Sequence, residues 1–146
     1  MAESQFLYVS YIRAAPQKIW DALTDPEMNK QFWGGYHQDS SWKVGADYKV
    51  AGPDGRVWDS GKVLECDPPK RLRVSWTHMS EGAMKAEGES TCTIELEAAQ
   101  PGVTKLTLTH VIGVADSKLI AGVSTGWPSI LSSLKSLLET GQALAA

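Results

Sequence analysis

The middle of the chain alternates apolar and polar positions with a period of two, the pattern of half-buried strands. Leu72, Val74, Trp76 and His78 share one face of a strand, with Arg71, Arg73, Ser75 and Thr77 on the other. Cys92, Ile94, Leu96 and Ala98 alternate with Thr91, Thr93, Glu95 and Glu97. Leu106, Leu108, His110 and Ile112 alternate with Lys105, Thr107, Thr109 and Val111. Between these two runs lies Gln100-Pro101-Gly102, where proline presets φ for a turn and glycine accepts positive φ, so they predict an antiparallel hairpin. Residues 6–13 and 42–50 read as two more strands. Pro53-Asp54-Gly55 turns the chain into a further one over residues 57–64, in which Gly61 marks an expected bulge, and Asp67-Pro68-Pro69 ends it. The pattern predicts six strands, five of them successive.

Elsewhere the period changes to that of a helix. Residues 15–23 place Pro16 in a first turn and align Ile19, Trp20 and Leu23 on one face. Asp25-Pro26 supplies an N-cap and a first-turn proline for a second short helix, which Gly34-Gly35 ends. Asp116 is the expected N-cap of the last helix, whose apolar stripe runs through Leu119, Ile120, Val123, Trp127, Ile130, Leu131, Leu134, Leu137 and Leu138 to a stop at Gly141. At 1.5 Å per residue, about 24 residues span roughly 36 Å, enough to cross the sheet. Pro128 lies inside it and predicts a kink. These elements predict an α+β fold, a curved six-stranded antiparallel sheet wrapped around a long C-terminal helix, with two short helices after the first strand. A helix buries only one stripe, so a curved sheet against it leaves volume that side chains do not fill, and a cavity is expected there.

Composition narrows the function without fixing it. The 146 residues predict a single domain over 1–146, and a net charge of −3 lacks the concentrated basic excess that nucleic-acid binding requires. There is no apolar run of membrane-spanning length and no signal-peptide pattern at the N-terminus, so the expectation is a cytoplasmic protein without membrane insertion. Cys66 and Cys92 fall in no metal-binding spacing and read as small core residues. Gly52 and Gly55 flank a turn without phosphate-loop spacing, and no G-x-S-x-G occurs. No metal, cofactor or catalytic residue is predicted.

The segments AAPQKIWDALTDPEMNKQFW, DPPKRLRVSW, TKLTLTH and GWPSILSSLKSLLE, in that order and spacing, resemble the heat-shock-protein-90 ATPase activator homologue family of the START-like (SRPBCC, helix-grip) superfamily. The resemblance covers nearly the whole chain and implies a helix-grip fold with a largely apolar internal ligand cavity. It implies no shared catalytic residue, because the superfamily includes carriers, hormone and lipid binders, cyclases and resistance proteins.

Within that frame, the candidate ligand-binding residues are Trp33, Tyr36, Tyr48, Trp58, Trp76, His78, His110, Val123 and Trp127. Large aromatic side chains dominate a cavity wall through area and stacking geometry, although each tryptophan also has a plain core role open to it, as Trp20 has. Trp33 and Tyr36 flank Gly34-Gly35, where a gate or lid is expected. His78 and His110 occupy the apolar phase of their strands; each either bonds a ligand carbonyl or hydroxyl, acts as a general acid or base, or is satisfied by backbone or water at a strand end. His37 reads as a solvated loop residue, and the Met79–Gly88 segment as either a solvated loop or a second gate.

Three functions follow from this reading. The first is binding of a small hydrophobic or aromatic molecule between the C-terminal helix and the sheet, as a carrier, sensor or resistance protein. The second is cyclase, dehydratase or hydrolase chemistry on a hydrophobic substrate in the same cavity. The third is a chaperone-interacting module, disfavoured because the outer strand faces read as Thr, Glu, Lys and Arg without an apolar patch. An exposed strand edge makes a second copy of the chain a further candidate partner.

Overall fold

A computed structural model describes residues 3–144. The chain runs β1 (Ser4–Ile12), α1 (Pro16–Thr24), α2 (Pro26–Phe32), β2 (His37–Ser40), β3 (Asp47–Ala51), β4 (Val57–Asp67), β5 (Arg71–His78), α3 (Ala83–Ala86), β6 (Ser90–Gln100), β7 (Val103–Ile112) and α4 (Lys118–Thr140). All pairings are antiparallel, in the order β1-β7-β6-β5-β4-β3-β2. Strands β2 to β7 form a meander, and β1 joins it beside β7, so the α1–α2 segment carries the chain from one edge of the sheet to the other.

The two-periodic segments form strands with the predicted phase. In β7 the buried residues are Thr104, Leu106, Leu108, His110 and Ile112, alternating with half-buried ones. Proline opens both short helices, and the Asp25 carboxylate accepts from the Glu27 amide to cap α2. Helix α4 is 23 residues long, keeps Pro128 inside it, and ends where Gly141 adopts φ 84°. Its buried stripe includes Leu119, Ile120, Trp127, Leu131 and Leu134, which join Ile12, Ile19, Phe32, Val63, Leu106 and Leu108 in one core.

Several sequence expectations are corrected. The sheet has seven strands, because His37–Ser40 pairs with β3 as β2. His37 is therefore a half-buried strand residue whose Nδ1 is buried without a hydrogen-bond partner among the described residues, not a solvated loop residue. The polar run HQDS gave no apolar signal because its buried member is a glutamine, Gln38, held by side-chain hydrogen bonds. Strand β3 begins at Asp47 rather than at residue 42, since Trp42 has φ 63°, a left-handed conformation that breaks a ladder. The N-cap of α4 is Ser117, whose hydroxyl accepts from the Ile120 amide, while Asp116 turns with φ 50°.

Gly61 is a point of close approach. The register of β4 on β5 shifts between Val63 and Glu65, beyond Gly61. A Cβ on Gly61 would lie 1.9 Å from the Ser75 carbonyl oxygen, so only glycine lets the two strands meet there. The outer surface also carries an apolar stripe that sequence alone did not suggest. Leu7, Val9 and Tyr11 alternate along the outer face of edge strand β1 and are 56%, 42% and 53% exposed.

Candidate functional site

A cleft of about 320 Å³ lies between α4 and the sheet. Strands β4 and β5 supply Trp58, Asp59, Trp76 and His78; β3 adds Val50; the α2–β2 connection adds Trp33 and Tyr36; and α4 adds Leu119, Gly122, Val123, Gly126, Trp127 and Ile130. Gly122 and Gly126 stand four residues apart, on one face of the helix, and their missing side chains leave room beside Trp127. Met84 of α3 closes the lining, and a Cβ added at Gly122 would sit 3.5 Å from its sulfur.

The aromatic residues form a connected series. Trp127 packs against Trp33 (ring centroids 5.5 Å apart) and edge-on against Trp76 (5.6 Å), and Trp76 packs against Tyr48 (5.8 Å). The lining is apolar except for the indole N–H groups, the Tyr36 hydroxyl and one ionisable pair, Asp59 and His78. At its rim the Arg56 guanidinium lies 3.9 Å from the centroid of the Trp58 ring and donates to the Ser80 hydroxyl.

Asp59 and His78 face each other across the β4–β5 ladder, with Asp59 Oδ1 and His78 Nδ1 2.9 Å apart. The same oxygen accepts from Trp76 Nε1 at 2.9 Å. Burial pushes the Asp59 carboxyl above its ordinary range, against the opposing pull of His78 and the Trp76 N–H. His110 has different surroundings. It is fully buried, Ser90 Oγ lies 2.8 Å from its Nε2, and Trp127 Nε1 donates to its Nδ1 at 3.2 Å. Because the Ser90 hydroxyl donates its only proton to the Trp76 carbonyl, it must accept from His110 Nε2–H. Both ring nitrogens are thereby committed, and burial lowers the His110 pKa to about 4.

Seven of the nine candidate residues converge on the cleft: Trp33, Tyr36, Trp58, Trp76, His78, Val123 and Trp127. Tyr48 and His110 lie behind it. Tyr48 is 1% exposed and donates its hydroxyl to Gln38 Oε1 in a buried polar network. There the Asn29 side chain donates to the Ala22 and Leu23 carbonyls and accepts from the Gln38 amide. This network ties α2 to β2. With the bonds from the Gly35 amide to the Lys30 carbonyl and from the Tyr36 amide to the Trp33 carbonyl, it fixes the segment carrying Trp33 and Tyr36.

Sequence reasoning missed Asp59, although it shares the inward phase of β4 with Gly61 and Val63, where an acidic residue is anomalous. The segment expected as a loop over Met79–Gly88 contains α3, which is fastened to the start of α4. Glu87 accepts from Ser117 Oγ and the Lys118 amide, each at 2.6 Å, and from the Leu119 amide at 3.2 Å. Neither thiol is activated by its surroundings. Burial raises both, and the Asp67 charge adds to the rise at Cys66. Among the described residues, no cluster of three or more His, Cys, Asp or Glu side chains could hold a metal ion, and no helix is long and apolar enough to cross a membrane.

Residues 13–139 match the family model for Activator of Hsp90 ATPase homolog 1-like protein. The chain belongs to that family. Solved structures extend the likeness over nearly the full length of the chain. Protein MLL2253 from Mesorhizobium loti is 25% identical, with a TM-score of 0.78 over 93% of this chain and 97% of that one. The Aha1 dimer from Colwellia psychrerythraea is 26% identical, with a TM-score of 0.71 over 96% and 99%. PFC0360w, an HSP90 activator from Plasmodium falciparum, is 20% identical, with a TM-score of 0.72 over 92% and 95%, a likeness of fold alone. No match was found among curated proteins. The family match and the structural relatives agree with the helix-grip architecture.

Proposed function

We propose that this Hsp90-activator-homologue domain binds a small hydrophobic or aromatic molecule in the cleft between α4 and the sheet. The supporting observation is the tryptophan-lined wall of Trp33, Trp58, Trp76 and Trp127 around about 320 Å³ that the protein's own side chains leave unfilled. An apolar ligand there exchanges water for aromatic contact, and the rigid rings lose little freedom on binding. Tyr48 and His110 support the wall from behind, the first through Trp76 and the second through Trp127.

Native mass spectrometry of gently purified protein, followed by calorimetric titration with bicyclic arenes, tests the proposal. Trp127→Phe keeps an aromatic side chain but removes the indole area, and it is expected to weaken arene binding by about fivefold. Unchanged affinity, or an absence of arene binding by the wild type, would remove the cleft as the site.

A second copy of the chain is the partner we propose. The relative from Colwellia psychrerythraea is a dimer, and in this chain edge strand β1 joins an open backbone edge to the exposed Leu7, Val9 and Tyr11. Light scattering on Val9→Lys is expected to show a monomer where the wild type is a dimer; a wild-type monomer throughout the micromolar range overturns this assignment.

A further inference from the structure

We infer that the cleft's ligand is an aromatic compound bearing a hydroxyl group, and that His78 Nε2 meets that hydroxyl. This rests on the reading of the cleft as a binding site and specifies what it selects.

An indole N–H can only donate, so Asp59 Oδ1, which takes the Trp76 bond, acts as an acceptor. With Asp59 as a carboxylate, which has no proton to donate, the contact from that oxygen to His78 Nδ1 is an N–H donated by the imidazole. This fixes the tautomer and leaves Nε2 as the free nitrogen. Nε2 has no partner among the described residues, yet it is not a sealed, orphaned atom, and His78 lines the cleft. The arrangement is rigid, because Asp59 and His78 are register partners on adjacent strands and Trp76 shares a face with His78. Asp59 is therefore a positioning residue and His78 the contact.

The chemistry of the group follows from what surrounds Nε2. A hydroxyl both donates and accepts, so it satisfies this nitrogen whether or not the ring is protonated. A carboxylate on the ligand would face the Asp59 charge. An ammonium brings three N–H donors to a corner where Asp59 Oδ1 is already taken by two donors and only Oδ2 is left, and it must shed its hydration among tryptophans. The remaining lining, largely indole and aliphatic, suits the arene.

The test compares 2-naphthol with 2-methylnaphthalene, which replaces the hydroxyl by a methyl of similar size, in calorimetric titrations of the whole chain. Wild type is expected to prefer naphthol by about tenfold, the value of one net hydrogen bond. His78→Phe should abolish that preference, so that the two arenes bind with equal affinity. Asp59→Asn should reduce the preference. Should these variants fold poorly, the 15N resonance of His78 Nε2 in the wild type provides a second readout, expected to shift with naphthol and not with methylnaphthalene. Equal affinities in the wild type, a preference that survives His78→Phe, an unmoved Nε2 resonance, or tighter binding of 2-naphthylmethylamine would each overturn the inference while arene binding in the cleft stands. If neither arene binds, the cleft is not the site and both readings fall.

Discussion

His78 and His110 occupy the same apolar phase of neighbouring parts of one sheet, yet their surroundings give them opposite characters. His110 is enclosed, with one nitrogen bonded to Ser90 and the other to Trp127, and burial holds it neutral. His78 lines the cleft and is held by one nitrogen, through Asp59, while the other has no partner among the described residues. A polar side chain on an apolar phase becomes structural when every valence is met inside the protein, and remains available when one is not. His110 orients Trp127, a wall of the cleft, whereas His78 belongs to the lining itself.

The most disruptive way to break this contrast is at Gly61, where β4 and β5 approach beside the Asp59–His78 pair. Gly61→Ala would drive a methyl into the Ser75 carbonyl and force the strands apart. We expect a loss of about 4 kcal/mol in chemical denaturation, the scale of the largest single-site effects; a loss below about 1 kcal/mol would show that the ladder relaxes freely.

Acid acts on His110 next. The folded His110 pKa of about 4 lies below the ordinary 6.5, so between these values the unfolded chain binds a proton that the native state refuses. Stability therefore falls as pH drops through that window, by roughly 3 kcal/mol when complete. Asp59 acts in the opposite sense, since its carboxyl is raised and the native state takes up its proton first. Comparing urea denaturation of wild type and His110→Asn from pH 7 to pH 4 isolates the His110 contribution. The variant should be less stable at pH 7 and lose less on acidification; parallel pH profiles would contradict the enclosed, neutral imidazole.

The smallest effect concerns the rim. At Glu87, burial raises the carboxyl, but the bonds from Ser117, Lys118 and Leu119 and the Lys118 charge together outweigh it, and the net shift is downward. The clasp on α4 is thus complete above the ordinary glutamate range and is lost as pH falls through the depressed folded value. Glu87→Ala should cost about 1 kcal/mol or less and speed hydrogen exchange at the Lys118 and Leu119 amides, leaving amides around His110 untouched. Exchange that accelerates equally in both places would mean that rim and core open as one unit.

Periodicity was enough to find β5, β6, β7 and the stripe of α4, because each buries one face and the repeat of its apolar residues reports that burial directly. It failed at β2, whose buried residue is Gln38, and at Trp42, whose positive φ leaves no mark in composition. The aromatic candidates could be named for the same reason the strands could: large apolar side chains on an inward phase face the helix. Asp59 was invisible as a partner because its link to His78 spans 19 positions and exists only through the β4–β5 register.

By itself, then, the sequence determined the α+β class, the long helix and the residues that face inward, all of which follow from local patterns of burial. Only the tertiary structure decided which inward residues border open volume, which histidine has a free nitrogen, and which acid orients it. These depend on register, close approach and hydrogen-bond completion between segments distant in the chain, which no local period encodes.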